Sequence, residues 1–353
     1  MHPGFLWLAG VRDLQWRRRR FVIAVLGTAL VMSLTLLLTG FQATFDVEVN
    51  HALKLIGADG YVVQKGRPGP FLGGTPIPLE VAQRAGTLPG VTAVSPVIMT
   101  PQVTDRANHA DIFIVGAPPG EMGQPTVRVG RVAAAKGEVV VDTKSGMKPG
   151  DTFGISGHQY NVVGTVSGQT VNGGRPSVFM SLADAQDLMF AGQSVVTAVA
   201  VRGTPTSLPV NAIYMSSKVA GKDLKRPLAD TIESISTFRT LLWIVATAIV
   251  GSVVYLSALE RIGDFAVFKA TGTGTSDLLG ALVVQAIALS VSASIFAIGL
   301  AYLLRGMFPV TPLLPFRIEI MLPVIALFIG VIASGAALRR AVTVDPALAF
   351  GGH

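Results

Sequence analysis

Apolar residues in this chain gather into four charge-free runs, Phe21–Phe45, Thr240–Leu259, Leu278–Leu304 and Ile320–Leu338. At about 1.5 Å rise per residue, each run is long enough as a helix to cross a hydrocarbon layer of roughly 30 Å. Helices buried in a large soluble protein would be expected to show a polar face, and these show none. The last run is the shortest and carries Pro323 near its start, where a helix tolerates proline. The first run could be a cleavable signal peptide, with Arg17, Arg18, Arg19 and Arg20 as its charged lead. Its apolar stretch, however, is about twice the usual length and no A-x-A site follows, so it reads as a signal-anchor span. The predicted fold class is an integral membrane α-helical protein with four transmembrane helices. A large mixed α/β extracytoplasmic domain lies between spans 1 and 2.

The long stretch between the first two runs has a different pattern. Short segments rich in Val and Ile alternate with Gly and Pro. They predict strands at Tyr61–Gln64, Val91–Val103, Ile112–Gly116, Glu138–Val141, Tyr160–Val166, Ser177–Met180 and Val196–Val201. Short helices are expected over Leu79–Thr87 and after Ser181, where Ser181 and Asp184 fit a capping box. Lys148-Pro149-Gly150-Asp151 reads as a turn between two strands of a small barrel-like unit. Gly66–Pro78 reads as a loop. Leu228–Arg239 is helical by pattern and runs into the second span. The expected layout is a lead-in over 1–20, spans at 21–45, 240–259, 278–304 and 320–338, and an external domain at 46–239. A coupling segment at 260–277, a short external loop at 305–319 and a tail at 339–353 complete it.

Charge sets the orientation. Arg12 and Arg17 to Arg20 outweigh Asp13 before the first span, and Arg339 and Arg340 follow the last. Basic flanks favour the cytoplasm, so both termini are expected inside, Asp46–Arg239 outside and Glu260–Asp277 inside. The expected location is the cell membrane, as a multi-pass protein. The net charge of +7 is not a nucleic-acid signal, because no basic stripe interleaves with aromatics. The chain has no cysteine. That excludes disulfides, thiolate metal sites, cysteine nucleophiles and lipoprotein acylation.

Catalytic chemistry is sparse. There is no G-x-x-x-x-G-K-[ST] phosphate loop, no G-x-S-x-G elbow and no H-E-x-x-H zinc helix. His2, His51, His109, His158 and His353 are scattered and read as solvated surface residues. No catalytic residue and no metal site is assigned, and no cofactor is expected in this chain. The spans hold no acid or base to relay protons. Gln285, Ser290, Ser292 and Ser294 are the polar points of the third span. They read either as helix–helix packing groups or as the lining of a substrate path.

The segment Glu260–Asp277, ERIGDFAVFKATGTGTSD, has its own pattern. Leu259, Ile262, Ala266 and Lys269 fall at helical spacing, and Phe265 broadens the stripe. Gly272 and Gly274 break the helix, and Ser276 can cap the third span. So short a helix needs a membrane surface or a protein groove to be stable. It reads as a docking element, or else as an interfacial loop helix without a partner.

Three stretches together resemble the permease subunits of ABC transporters of the FtsX-like, MacB-type class. Leu8–Leu14 with Arg17–Arg20 resembles the family's lead-in helix and basic run. Glu260-Arg261-Ile262-Gly263-Asp264-Phe265-Ala266-Val267-Phe268-Lys269-Ala270-Thr271-Gly272 resembles its coupling motif, with Asp264 where glutamate is commoner and Thr271 where an apolar residue is usual. Arg340–Ala349, with Asp345-Pro346, resembles its closing signature. The short four-span actinobacterial and DevC-like branch is the nearest in layout. The resemblance implies a non-catalytic subunit paired with a separate ABC ATPase that binds ATP and Mg. It implies a homodimer whose external domains move as ATP is hydrolysed. Glu260, Arg261, Ile262, Asp264, Phe265, Phe268 and Lys269 would contact the ATPase, and a periplasmic adaptor or extracellular partner would fit. Export of a hydrophobic or envelope-associated substrate is the expected output. Signalling to an extracellular cell-wall enzyme, or a receptor or scaffold outside the ABC class, are the alternatives.

Overall fold

The computed structural model describes residues 18–66, 69–105, 110–208, 211–260, 275–308 and 310–342. The chain divides into two compact units, one from Met1–Ala43 and Ile232–His353, the other from Thr44–Thr231. The helices are α1 (Arg18–Ile56), α2 (Glu80–Gly86), α3 (Leu182–Phe190), α4 (Ser217–Leu224), α5 (Ala229–Glu260), α6 (Thr275–Leu304) and α7 (Phe316–Val342). The strands are β1 (Gly60–Gln64), β2 (Ile77–Pro78), β3 (Val91–Val103), β4 (Asp111–Ala117), β5 (Val129–Gly130), β6 (Glu138–Asp142) and β7 (Thr152–Ile155). They continue with β8 (His158–Val166), β9 (Thr170–Val171), β10 (Arg175–Ser181), β11 (Val195–Val196), β12 (Ala198–Gly203) and β13 (Ala212–Ser216).

Among the described residues, three helical segments are long and apolar enough to cross a membrane: Phe21–Ile56, Ser217–Glu260 and Leu282–Met307. A fourth long helix, α7, has 27 residues. It starts earlier than its apolar run, so Pro323 lies in the helix interior rather than at its start. Proline has no N–H, which leaves the carbonyl of Glu319 without its partner four residues on. Similarly, α6 begins at Thr275, so Ser276 sits inside the first turn instead of capping it.

The core of the helical unit mixes a stripe of small residues with larger side chains such as Met32, Leu36, Leu37 and Leu289. Ala286, Ala293, Ala297 and Ala301 on α6 are fully buried, as are Val250 and Val254 on α5. A Cβ added at Gly330 on α7 would stand 3.0 Å from the backbone of Ala286. Only a glycine lets the two backbones come this close, which is how helices pack where water supplies no hydrophobic drive. The outer faces remain apolar, with Phe296, Phe316, Phe328 and Ile332 exposed.

The second unit is built on one hydrogen-bonded sheet of 11 strands, in the order β13-β1-β12-β3-β4-β10-β6-β8-β5, with β7 on β8 and β9 on β10. Its pairs are antiparallel except β10 with β4 and β6 with β8. Successive residues point to opposite faces. Tyr61, Val97, Phe113, Val115 and Phe179 face one core together with Val49, Ala52 and Ile56 of α1 and Ala220 and Leu224 of α4. Val62, Ile98, Ile114, Val178 and Val199 face the other, with Ala82 and Ala85 of α2 and Ala185 of α3. Burial on both faces explains why these strands read as continuous Val/Ile runs rather than alternating ones.

The strands beside Lys148–Asp151 belong to this open sheet, not to a separate barrel-like unit. The turn itself is present: Asp151 N donates to Lys148 O at 3.0 Å, and Lys148 N donates to Asp151 Oδ2 at 2.9 Å. Strand β7 then pairs with β8 through Ser156 and Gly157, both in the left-handed region. That is the backbone a tight hairpin requires.

Candidate functional site

The coupling residues expected from the sequence fall mostly outside the described residues: Arg261, Ile262, Asp264, Phe265, Phe268 and Lys269 lie there, as does Arg17. Glu260 is described. It is the last residue of α5 and is exposed. Arg18, Arg19 and Arg20 open α1, and Arg339 and Arg340 fall in the last turn of α7. Helix α5 thus delivers the chain to the start of the coupling segment, and α6 picks it up at Thr275.

Within the helical unit, several polar side chains bond back to their own helix, while the buried hydroxyls of Thr28, Ser33 and Ser290 have no hydrogen-bond partner among the described residues. Thr35 Oγ1 donates to Val31 O at 2.9 Å, Thr39 Oγ1 to Thr35 O at 2.8 Å and Thr247 Oγ1 to Trp243 O at 2.8 Å. Such bonds to the preceding turn hide a hydroxyl in apolar surroundings. Gln285 cross-links two helices: its Nε2 donates to Ser257 Oγ at 3.0 Å and joins α6 to α5. Ser294 bonds back to Val291 O at 2.8 Å, and Ser290 is fully buried. Gln285 therefore serves helix packing, the first of its two readings.

A cavity of about 350 Å³ opens in the same unit, lined by α1, α5 and α7. Thr35, Thr39, Trp243, Met321 and Leu322 form much of its wall, and Arg239 adds a positive charge. One guanidinium nitrogen of Arg239 donates to the neutral Gln42 Oε1 at 2.7 Å. By sequence, Arg239 ends the helical stretch Leu228–Arg239 that runs into the second span, and that pattern marks no cavity. The available signal was an arginine abutting an apolar run, four residues before Trp243.

In the second unit, carboxylates hold loops in place. Glu48, 6% exposed, accepts from Thr170 Oγ1 and from Gly173 N, each at 2.9 Å. Asp142 is fully buried and accepts from Lys144 N at 2.8 Å and Gln169 N at 2.7 Å. Asp184 accepts from Gly137 N at 3.2 Å and from Ser181 Oγ at 2.8 Å, while Ser181 Oγ accepts from Asp184 N and caps α3. Glu138 accepts from Arg131 Nη1 at 2.6 Å and from Ala134 N and Ala135 N. The Arg131 guanidinium, with those two amides, holds its carboxyl down to about 2. These are bracing contacts, not a reaction centre. His51 and His158 are exposed and lie near backbone carbonyls. Among the described residues, no group of three or more His, Asp or Glu is arranged to hold a metal.

Comparison with known proteins decides the family. Residues 22–212 match the family described as MacB-like periplasmic core domain, and residues 236–346 match the FtsX-like permease C-terminal family. The chain belongs to the FtsX-like, MacB-type ABC transporter permeases. An ABC transporter permease of Mycobacterium tuberculosis (strain H37Rv) is 40% identical over 345 residues, covering 98% of this chain and 99% of the relative. A Staphylococcus haemolyticus permease named for a hemin transport system is 20% identical over 363 residues, covering 97% of this chain and 98% of its own. The crystal structure of the periplasmic region of MacB from Actinobacillus actinomycetemcomitans aligns with a TM-score of 0.33 at 13% identity. It covers 50% of this chain and 98% of the other. Membership makes this chain a membrane-embedded permease subunit and implies a separate ATPase partner.

Proposed function

We propose that this permease couples ATP hydrolysis by its partner ATPase to motion of an external domain, and so exports or extracts a hydrophobic or envelope-associated substrate. It crosses the cell membrane four times, with α7 as the fourth span, both termini cytoplasmic and residues 46–239 outside. Two copies form a homodimer. The coupling helix following α5 docks in a groove of the ATPase: Ile262, Phe265 and Phe268 fill the groove, and Glu260, Arg261, Asp264 and Lys269 brace its rim. An adaptor or other extracellular partner meets the external domain.

The observation that carries this reading is helix continuity. Helix α5 runs from Ala229 to Glu260 without a break, so the stretch before the second apolar run and the first residue of the coupling segment lie on one helix. A displacement at its Glu260 end is passed along the helix, because its backbone bonds are all internal. The absence of Asp, Glu, Lys, Arg and His from the four apolar runs favours mechanical transmission over a polar conduit.

Burying an aromatic anchor contributes about 1.5–3 kcal/mol. Phe265→Ala should therefore weaken docking roughly tenfold to a hundredfold, while an exposed rim charge contributes only about 0–1 kcal/mol. The test is ATPase capture and ATPase stimulation by Phe265→Ala and Glu260→Ala, each first checked for membrane insertion. Wild-type docking by Phe265→Ala would remove this segment as the coupling element.

A further inference from the structure

The cavity between α1, α5 and α7 is not explained by coupling or by helix packing. Its walls are mostly apolar: Leu36, Trp243, Met321 and Leu322, with Thr35 and Thr39 adding methyl groups. The Thr35 and Thr39 hydroxyl protons are already spent on their own helix. Arg239 is different. It is half-buried, it donates to a neutral amide oxygen, that of Gln42, and a guanidinium carries five N–H donors. Among the described residues, none of the ion pairs found involves Arg239. Glu319, the acid of α7 closest in sequence to the lining residues, accepts from the Tyr302 hydroxyl and does not line the cavity.

A cation in an apolar pocket at the edge of a span calls for an anion with an apolar body. We propose that this cavity binds an anionic amphiphile, its carboxylate or phosphate head group on Arg239 and its chain against Trp243, Met321 and Leu322. The volume of about 350 Å³ is at the small end of ligand pockets, so it takes one head group and the first part of a chain. Arg239 forks two donors onto two oxygens, which a lysine cannot do. That the bound amphiphile is also cargo rests on the export reading above; the binding itself does not.

The chain has three tryptophans, Trp7, Trp16 and Trp243. In full-length protein carrying W7F and W16F, Trp243 alone reports on the cavity. The protein is reconstituted in nanodiscs with brominated phosphatidylglycerol or brominated phosphatidylcholine as the minor lipid. Brominated fatty acid forms a third arm and inorganic phosphate a competitor. Quenching should favour the anionic lipid by roughly tenfold, the size of one charge-assisted hydrogen bond. R239Q should bring the two lipids to parity, and R239K should keep a reduced preference. The fatty-acid arm separates carboxylate from phosphate head groups as the source of the anion. Equal quenching by both lipids in the parent protein, or a preference that survives in R239Q, overturns the proposal. So does release by millimolar phosphate alone, which would mark a free-anion site. If R239Q does not assemble, R239K decides, since loss of all preference there contradicts a charge-based site. With the ATPase and ATP added, unchanged quenching would remove the cargo assignment and leave the binding site standing.

Discussion

In the helical unit the buried hydroxyls of Thr35 and Ser257 bond back to their own helices. In the unit Thr44–Thr231 the buried carboxylates of Glu48, Asp142 and Asp184 each take an N–H from a distant segment. The contrast follows from the solvent. Hydrocarbon offers no hydrogen bonds, so a spanning helix must satisfy itself, and close packing of small residues does the rest. In water a sheet is assembled by apolar burial on both faces, and buried acids are retained only where amides pay for them. Among the described residues, the long helices are joined by close packing and by the Ser257–Gln285, Arg239–Gln42 and Tyr302–Glu319 bonds, whereas the sheet unit is cross-braced by its buried carboxylates.

The largest effect that would sharpen this contrast is in the sheet. Phe113 is 1% exposed and packs against Phe71, with ring centroids 6.5 Å apart. Phe113→Ala should destabilise its unit by about 3–5 kcal/mol. Hydrogen exchange on the full chain should then accelerate throughout Thr44–Thr231 and leave the protected parts of α6 and α7 unchanged. Equal acceleration in both units would mean that they unfold as one, and the contrast would fail.

Next in size is the helix contact. Gly330→Leu would place a side chain 3.0 Å from the Ala286 backbone, and overpacking of this kind costs about 1–3 kcal/mol. Detergent titration followed by tryptophan fluorescence should show earlier loss of the helical unit, while exchange in the sheet stays at the parent level.

Much of the architecture could be read from the chain, for reasons visible in single elements. Strand β3 has the boundaries expected from its Val/Ile content and flanking glycine, Val91–Val103. Ser181 caps α3 through Asp184 N because the short hydroxyl at that position reaches the free amide. What escaped was decided by tertiary contact. Helix α4 contains Gly221, which argues against a helix, yet its backbone packs closely on α1, where a Cβ would stand 2.9 Å from Leu53 Cδ1 and 3.2 Å from Val49. Strand β13 is a short edge strand defined by pairing with β1. Strand β7 exists because Ser156-Gly157 can turn. The Arg239 cavity joins three helices far apart in sequence, and no local pattern records it.

A smaller effect tests the carboxylate bracing. In Glu48→Gln one oxygen still accepts, but the amide nitrogen faces a donor, Gly173 N or Thr170 Oγ1. The loss should be about 1 kcal/mol. It should be local, appearing as faster exchange in residues 170–174, where Asn172, Gly173 and Gly174 all have positive φ. Unchanged exchange there would show that the turn holds itself without Glu48.

The smallest effect is pH-dependent and confined to one exposed brace. Glu138 is held down to about 2 from an ordinary value of 4.5, chiefly by its bond from Arg131 and then by the Ala135 and Ala134 amides. A carboxyl whose folded value lies below its unfolded one adds stability that is full above the unfolded value. It is lost as pH falls through the folded one, because protons then bind the unfolded chain first. The window is therefore about 4.5 down to about 2. Glu138→Gln lacks this titration. The stability difference between parent and variant, followed by exchange of β6 and the 131–138 loop, should be constant above the window and shrink steadily through it. The same difference at pH 3 as at pH 6 would show that Arg131 and the two amides do not favour the charged carboxylate. Bracing in this unit would then rest on its buried acids alone.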